Sequence, residues 1–401
     1  MPIIEQGSAK TGFARASGQR LASLPPLSLY IHVPWCVRKC PYCDFNSHQA
    51  PQVLPEADYI AALTADIEQA LPLVWGRHIH TVFIGGGTPS LLSEGAVEQM
   101  LGIVRARLNL WPDAEITLEA NPGTAEADRF KSYAASGVNR ISLGVQSFDN
   151  DHLERLGRIH DSAQAMAAIE MAQKAVNRVN LDLMYGLPSQ TLDQCRLDLQ
   201  RAVSFNTEQL SLYQLTLEPQ TVFSKYPPVL PAEDIIEQME SLIVEVVEKA
   251  GWKRYEVSAY ARRGAQCRHN LNYWTFGDYL GVGPGAHSKI SFPDRIIRQA
   301  RTRNPQQWMQ TAITFTGSHV AEQRELGNDD LPFEFFLNAL RLREGVELSL
   351  FREHTGMSLA DIASMIKIAQ QKQLLVVSSG RIQPTELGWQ HLNELQTIFL
   401  R

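Results

Sequence analysis

From residue 27 to residue 217, short apolar runs rich in β-branched residues alternate with longer stretches of helical periodicity. Each run suits one buried strand, and each stretch between runs suits one helix. The strands are predicted at Ser28–Val33, His80–Ile84, Glu115–Glu119, Arg140–Gln146, Val179–Met184 and Gln209–Leu215. The helices between them are predicted at Ala57–Leu71, Glu94–Leu108, Ala163–Val176 and Leu192–Ala202. Such repeats predict an α/β fold, a parallel sheet with helices outside, and their length suits a partial barrel rather than a complete eight-unit one.

The predicted strands carry an unusual polar face. In Arg140–Gln146 the apolar side chains alternate with Ser142, Gly144 and Gln146, and polar residues such as Glu119 and Asp182 occupy the equivalent face of other strands. A closed barrel normally fills its interior with branched apolar side chains, and burying polar groups without partners costs several kcal/mol. The polar faces therefore favour a wide cavity that binds a polar ligand. The alternative is that they face solvent, although parallel sheets are usually covered on both sides.

The chain divides into four predicted segments. Residues 1–24 read as a disordered leader, 25–260 as the partial barrel, 261–304 as an extension of it, and 305–401 as a mostly helical C-terminal domain. In the last segment, helices at Phe333–Leu342 and Leu359–Gln373 precede a hairpin, an order typical of winged-helix modules. Residues 331–401 hold seven basic and seven acidic side chains, so this module lacks the positive surface of a DNA-binding domain and is better suited to a structural role or protein contact.

Composition restricts the classes of protein that fit this chain. A net charge of -6 argues against an electrostatic nucleic-acid binder, and no window approaches the ~20 apolar residues that span a bilayer. Five cysteines, an odd number, favour a reducing compartment over a disulfide framework. The leader lacks the apolar core of a secretory signal and weakly resembles an organellar transit peptide. The expected location is the cytoplasm, and a homodimer is compatible with the sequence.

The strongest chemical motif is Cys36-x3-Cys40-x2-Cys43, which follows the first predicted strand directly. Active sites of barrels are built from loops at the carboxyl ends of their strands. Three thiolates within eight residues can hold three irons of one [4Fe–4S] cubane and leave the fourth iron open to a small chelating ligand.

Three other interpretations of these cysteines remain open at this point. A Cys3His zinc site would recruit His48 as its fourth ligand. A redox pair at Cys40 and Cys43 would resemble glutaredoxin, although the polar segment that follows ends in Pro51 and does not read as the helix that such a pair requires. The cysteines would otherwise be buried structural residues.

A glycine motif, Gly85-Gly86-Gly87-Thr88-Pro89, ends the second predicted strand. Glycines let the backbone approach a ligand closely, so that main-chain groups can bind the charged ends of an amino acid. The motif is a weak signal alone. Its predicted position beside the cysteine loop gives it weight.

With these two motifs the chain resembles the radical S-adenosylmethionine (SAM) superfamily, and within it the group of oxygen-independent coproporphyrinogen III oxidases and HemW-type heme chaperones. The resemblance covers nearly the whole chain from Pro26 onward. It implies a partial (β/α)6 barrel followed by a winged-helix-like domain. The implied cofactors are a [4Fe–4S] cluster held by Cys36, Cys40 and Cys43, and SAM, which chelates the fourth iron through its amino and carboxylate groups.

The resemblance also implies which residues meet the methionine part of SAM. Gly86, Gly87 and Thr88 match the motif that meets its amino group, and Glu119 resembles the acid that neutralises this group. Arg158 resembles the partner of the carboxylate. Without the family, an arginine near a helix end is more typical of the surface.

Four further residues are implied as SAM contacts. Tyr30 and Tyr42 resemble the aromatic residues that flank the cluster, and Gln146 and Asp182 resemble the ligands of the ribose hydroxyls. Glu119, Gln146 and Asp182 lie on the polar strand faces identified above without reference to any family.

Two functions fit the resemblance, an oxidase acting on coproporphyrinogen III and a heme carrier that passes heme to an unidentified acceptor protein. The oxidases have a fourth cysteine two residues after the third, where this chain has Phe45, and a longer N-terminal segment, whereas only 35 residues precede Cys36 here. The stretch His269-Asn270-x-x-Tyr273-Trp274 matches the chaperone pattern, in which His269 would be an axial heme ligand. The resemblance therefore favours the carrier. Without it, a histidine among aromatic residues is usually structural.

One motif points elsewhere. Gly281-Val282-Gly283-Pro284-Gly285-Ala286 fits the dinucleotide-binding pattern G-x-G-x-x-A. That pattern requires a strand before it and a helix after it, and the sequence predicts neither. We therefore expect a loop at the barrel edge, followed by His287.

Overall fold

The computed structural model describes residues 21–124 and 127–400. The expected leader, residues 1–24, lies mostly outside this range. The strands in the described part, in chain order, are β1 Leu27–Val33, β2 Trp35–Cys36, β3 His48–Gln49, β4 His78–Gly86, β5 Asn109–Ala120, β6 Arg140–Gln146, β7 Arg178–Tyr185, β8 Gln209–Gln214, β9 Lys253–Arg254, β10 Ala259–Ala261, β11 Asp278–Val282, β12 His287–Ser291, β13 Ile296–Arg301, β14 Val320–Glu325, β15 Val346–Glu347, β16 Leu375–Ser378 and β17 Arg381–Pro384.

The helices surround one large sheet and form most of a second core. In chain order they are α1 Glu56–Val74, α2 Glu94–Arg107, α3 Ala127–Ala135, α4 Asn150–Arg155, α5 Ser162–Ala175, α6 Leu192–Ser204, α7 Val222–Lys225, α8 Glu233–Lys249, α9 Arg268–Trp274, α10 Pro305–Ala312, α11 Asp330–Ala339, α12 Leu348–Thr355, α13 Ala363–Gln371, α14 Glu386–Gln390 and α15 Leu392–Thr397. Short 3-10 turns lie at Pro89–Leu91, Pro122–Thr124 and Leu359–Ile362. No helix in the described part of the chain has the length and apolar character needed to cross a membrane.

Six parallel strands form the barrel in the order β1-β4-β5-β6-β7-β8, which confirms the predicted partial (β/α)6 barrel. Several barrel helices begin where polar side chains cap them. The side chains of Ser93, Asp161 and Thr191 accept backbone N–H groups at the starts of α2, α5 and α6. Such caps satisfy donors that a helix start otherwise leaves unpaired. They help fix the direction in which each helix leaves the sheet.

The predicted alternation of strand faces is present. On β6, Ile141, Leu143 and Val145 are fully buried in the core shared with the surrounding helices. The opposite face, with Ser142 and Gln146, lines an internal cavity. The polar faces therefore point into the barrel, and the solvent-facing alternative is wrong.

The sheet continues beyond the barrel on both sides. Strand β10 pairs antiparallel with β8, and β11 pairs parallel with β1, followed by the antiparallel strands β12, β13 and β14. A strand therefore does precede the sequence Gly281–Ala286, contrary to the prediction. The following segment is β12 rather than a helix, so the dinucleotide-binding pattern is still incomplete.

The first helix and strand of the predicted C-terminal segment, residues 305–401, pack against the barrel and its sheet. Helix α10 packs on α1, where the side chain of Gln69 donates to the carbonyl of Ala312 at 2.7 Å, and β14 completes the large sheet. The second hydrophobic core joins Leu326 and Phe335 to α12, α13 and the small sheet β15-β17-β16.

Candidate functional site

The three motif cysteines lie on the loop that leaves the carboxyl end of β1. A two-residue parallel ladder between β2 and β3 closes this loop, and the N–H of Cys43 donates to the carbonyl of Cys40 at 3.2 Å. The hydroxyl of Thr88 lies 3.5 Å from the sulfur of Cys36, and Nη1 of Arg158 lies 3.6 Å from that of Cys40. All three thiols are partly exposed. The loop thus presents three sulfurs toward one space.

The geometry separates the interpretations left open for these cysteines. No three His, Cys, Asp or Glu side chains in the described ranges are placed to hold a single metal ion, and His48 approaches Asn46 at 3.4 Å instead. No helix follows Cys43, because the chain bends and then enters β3. Cys195 and Cys267 are buried, whereas the motif cysteines are not. Among the described residues, His48 is therefore not placed as a fourth zinc ligand, and the helix that a redox pair requires does not follow Cys43.

The glycine motif packs against this loop through its backbone. The N–H groups of Gly87 and Thr88 donate to the carbonyls of Val33 and Trp35, both at 2.7 Å. A Cβ on Gly87 would lie 2.5 Å from the Trp35 oxygen, so a larger residue would push the two loops apart. Gly86 has a φ of +113°, which side chains disfavour. Glycine is thus required where the end of β4 meets the cysteine loop.

Two connected chambers open beneath these loops. The first, which we call the cluster chamber, has a volume of about 160 Å³. It gathers eleven of the predicted residues into one wall: Cys36, Cys40, Tyr42, Cys43, Gly86, Gly87, Thr88, Glu119, Gln146, Arg158 and Asp182. The second, the inner chamber, has about 390 Å³ and extends deeper into the barrel. Residues spread over more than 140 positions of sequence therefore form one site.

Glu119 is the acid nearest the glycine motif. Its carboxylate accepts the N–H of Gly86 at 3.1 Å. Burial, followed by repulsion from Asp182, raises the pKa of Glu119 to about 8, while the Gly86 hydrogen bond opposes this shift. A carboxyl group that burial holds partly protonated is poised for a cationic ligand such as an ammonium group.

Asp182 and Gln146 lie on the neighbouring strands. The Asp182 carboxylate accepts Ser142 at 3.0 Å and Asn180 at 2.8 Å, and burial raises its pKa despite these bonds. Gln146 has a φ of +68° at a register irregularity that ends β6. Non-glycine residues with such backbone angles concentrate at functional sites. Both side chains offer oxygens that suit the hydroxyls of a sugar.

Arg158 lies at the cavity, not on the surface that its sequence position alone suggests. Its Nη2 donates to the carbonyl of Gly144 at 2.7 Å, and its buried Nε has no partner in the described part of the chain. Burial opposes its charge, but the nearby Tyr42 and Cys40 raise its pKa. The guanidinium is thus held as a cation beside the cluster sulfurs, where it can receive a carboxylate.

Tyr30 is the one predicted SAM contact that lies outside the two chambers. Its hydroxyl pairs with Nδ1 of His32 at 3.0 Å, and its ring lies 6.3 Å from that of Phe83. The His32 ring in turn holds the carbonyl of Asn46 at 2.9 Å. In this arrangement Tyr30 supports the cysteine loop through His32, and a direct contact with SAM stays a prediction.

His269 lies at the opposite end of the barrel. Helix α9 closes the amino end of the strands, and only 1% of His269 is exposed. Its Nδ1 lies 2.8 Å from the hydroxyl of Thr81, and that hydroxyl donates to Ser28. Nδ1 is therefore assigned the proton, which leaves a lone pair on Nε2, an atom without a partner among the described residues. Burial lowers the pKa of His269 to about 3, so the ring is neutral.

Sequence reasoning missed Arg140, which lines the inner chamber from the first position of β6. It lies in the same alternating set as Ser142, Gly144 and Gln146, so the period-two pattern could have found it. A charged residue at the start of a strand looks exposed in sequence. Here it is 3% exposed.

Comparison with known proteins shows which proteins this chain is similar to. Residues 30–202 match the model of the Radical SAM superfamily, and residues 326–391 match the HemN C-terminal domain. The chain is 48% identical to the heme chaperone HemW of Escherichia coli (strain K12), over 95% of this chain and 100% of that protein. It is 45% identical to the HemW of Haemophilus influenzae, over 95% and 99% of the two chains.

A solved structure of coproporphyrinogen III oxidase (HemN) from Escherichia coli, described as a radical SAM enzyme, shares the fold. The TM-score is 0.80 and the sequence identity is 24%, over 94% of this chain and 90% of that chain. At this identity the likeness establishes the architecture alone.

Proposed function

Because the chain belongs to the family of the HemW heme chaperones, within the radical SAM superfamily, we propose that it binds heme and passes it to an acceptor protein. The observation that carries this proposal is the 48% identity to a heme chaperone along 95% of the chain. Phe45, 59% exposed at the edge of both chambers, stands where the oxidases have a fourth cysteine, and it supports the same choice.

Superfamily membership implies a [4Fe–4S] cluster and SAM, and the residues present fit both. Three partly exposed thiols converge on the cluster chamber beside a glycine turn that tolerates no side chain. We assign Cys36, Cys40 and Cys43 as iron ligands. When bound and reduced, such a cluster can pass an electron to SAM.

The chain's own residues would orient SAM by charge and hydrogen bonding. Glu119 would bind the amino group and Arg158 the carboxylate, while Gln146 and Asp182 would offer oxygens to the ribose hydroxyls. Thr88 and Tyr42 complete the wall of this chamber. These assignments rest on the chamber they share and on the donor or acceptor that each residue supplies.

His269 is the proposed axial ligand of heme. A neutral imidazole with a free Nε2 is the form that binds heme iron. The Phe83 ring lies 5.0 Å from the His269 ring, and Tyr273 lies 5.0 Å from it on another side. Since the imidazole is buried, heme reaches it only if these rings or helix α9 move. This movement distinguishes ligation at His269 from heme binding at an exposed surface.

The structure reduces the number of other histidines that could bind the heme iron in place of His269. His32 and His160 each have both ring nitrogens within hydrogen-bond distance of a partner. His287 is exposed at the start of β12, and its ring makes no such pair of hydrogen bonds among the described residues. His287 is therefore the matched control for His269.

The test is a heme titration of the protein with its cluster reconstituted without oxygen. We expect about one heme per chain, a Soret band that His269→Ala shifts or removes, and normal iron–sulfur content in that variant, because the cysteines lie at the other end of the barrel. His287→Ala should keep the wild-type band. Conversion of coproporphyrinogen III with SAM and a reductant would contradict the chaperone proposal and return the protein to the oxidase class.

The odd number of cysteines, five, supports a reducing compartment, and we propose the cytoplasm. The transit-like features of the leader concern residues 1–20, which lie outside the described ranges. Cross-linking of the heme-loaded protein to its partner would identify the heme acceptor.

A further inference from the structure

The inner chamber has one positively charged lining residue among those described, Arg140. Its volume of about 390 Å³ is in the range of sites for small organic ligands. Phe83, Met184 and Leu215 form the apolar part of the chamber wall. Asn180 lines the chamber from β7, the strand next to that of Arg140. The chamber therefore suits a ligand with a broad apolar body and an anionic group at its deep end.

The guanidinium of Arg140 has neutral hydrogen-bond partners. Its Nη2 donates to Oε1 of Gln209 at 2.6 Å and its Nη1 to the hydroxyl of Thr117 at 3.3 Å. Within the described ranges, no carboxylate accepts a hydrogen bond from it. Removing a cation from water without a paired anion is costly, and this side chain is 3% exposed.

The nearest acid, Glu115, is already shared. Nη1 of Arg178 contacts its carboxylate at 2.5 Å, and the same carboxylate accepts the N–H groups of Arg268 and His269. Arg140 and Arg178 thus face one carboxylate between them, and Arg178 holds the direct contact. Asp182 is close enough to raise the pKa of Arg140, but among the described residues no carboxylate contacts this guanidinium directly.

Four acids line the chamber away from Arg140, namely Asp44, Glu119, Asp182 and Glu218. Asp44 is exposed, and Glu218 accepts the hydroxyl of Thr216 at 2.7 Å. Glu119 lies toward the cluster, where burial raises its pKa to about 8 and keeps it largely protonated at neutral pH. Asp182 is engaged by Ser142 and Asn180. An anionic group that reaches the floor therefore meets Arg140 first.

We propose that Arg140 binds a propionate carboxylate of heme in the inner chamber. This inference rests on the proposed function, because heme is the ligand it specifies. A guanidinium matches a carboxylate with two parallel hydrogen bonds, and the propionates are the anionic groups on the edge of the porphyrin. Phe83, which lines this chamber, also covers the ring of His269, so the apolar wall and the proposed iron ligand adjoin.

The experiment compares heme with heme dimethyl ester, in which both propionates are esterified. Each is titrated into the cluster-loaded protein, and binding is followed by the Soret band. Wild type should bind heme about 10-fold or more tightly than the ester, the scale of one charged hydrogen bond. Arg140→Gln should lose this preference, and Arg140→Lys should keep part of it because the charge remains.

Arg178→Gln is the matched control, because it removes the other cation of the Glu115 carboxylate without lining the chamber. It should retain the preference for heme over the ester. Equal binding of heme and ester by wild type would overturn the inference, and so would an unchanged preference in Arg140→Gln. Binding of neither compound would overturn the proposed function itself, and iron–sulfur content verifies that each variant is folded.

Discussion

The carboxyl and amino ends of the barrel use polar side chains in opposite ways. At the carboxyl end, Glu119 and Arg158 face a cavity and keep bonding capacity free for a ligand. At the amino end, Glu115 accepts three donors from Arg178 and helix α9, and this network closes the barrel. Polar groups in a strand therefore have two distinct uses, and only their partners reveal which one applies.

Two glutamates of one strand show the contrast most directly. Glu115 and Glu119 lie four residues apart on β5, on the same face. Burial opposes ionisation of both, but Arg140 and Arg178 lower the pKa of Glu115, whereas Asp182 adds to burial and raises that of Glu119. One carboxylate is a permanent structural anion, and the other changes charge when its surroundings change.

The largest expected effect is on the iron–sulfur cluster, when cysteines at the carboxyl and amino ends of the barrel are replaced. Cys36→Ala, Cys40→Ala and Cys43→Ala should each abolish a cluster of about four irons and four sulfides per chain, since each removes one iron ligand. Cys267→Ala at the amino end should leave the cluster intact, because that thiol is buried against Glu115 at 3.5 Å. Iron and sulfide analysis after anaerobic reconstitution measures the cluster content of each variant. Zinc without sulfide in the wild type would refute the cluster assignment.

The paired glutamates give the next largest effect. Glu115→Gln should lower the free energy of unfolding by ~3–5 kcal/mol, because it leaves buried arginine without its counter-ion. Glu119→Gln should instead weaken SAM binding by ~1–3 kcal/mol, the scale of a charged hydrogen bond, with iron content unchanged. Denaturant unfolding measures the change in stability, and SAM-induced changes in the EPR spectrum of the reduced cluster measure SAM binding. Asp182→Ala should behave like Glu119→Gln. If both glutamates affect only stability, the two ends do not differ as described.

The smallest effect is the pH dependence of stability without SAM. The pKa of Glu119 is raised to about 8, so the folded state holds a proton that the unfolded chain releases near pH 4.5. Stability from this group is therefore fully present below pH 4.5 and is lost as the pH rises through 8. Glu115 acts with the opposite sign, since its lowered pKa adds stability above its unfolded value. Between pH 5 and pH 8, the free energy of unfolding should decline less in Glu119→Gln than in wild type. Equal declines in the two proteins would contradict this account.

Much of the barrel was predictable because its signals are local. Strand β6 has the predicted bounds, since strict alternation from Ile141 to Val145 specifies both its length and its buried face. The cysteine and glycine motifs identify the ligand loops because each chemistry needs its residues close together in the chain. The packing of α10 on α1 was not predictable, because it depends on contacts between distant parts of the chain, such as that of Gln69 with Ala312.

By itself, the sequence determined the order of strands and helices, the iron-binding loop and the polar lining of the barrel, since spacing of two, three or four residues encodes each. Only the tertiary structure decided what those polar groups face. His269 meets Thr81 across 188 residues, and Arg140 meets Gln209 across 69. Whether a buried charge or imidazole is satisfied depends on such long-range partners, because hydrogen bonds act over about 3 Å of space, whatever the separation along the chain.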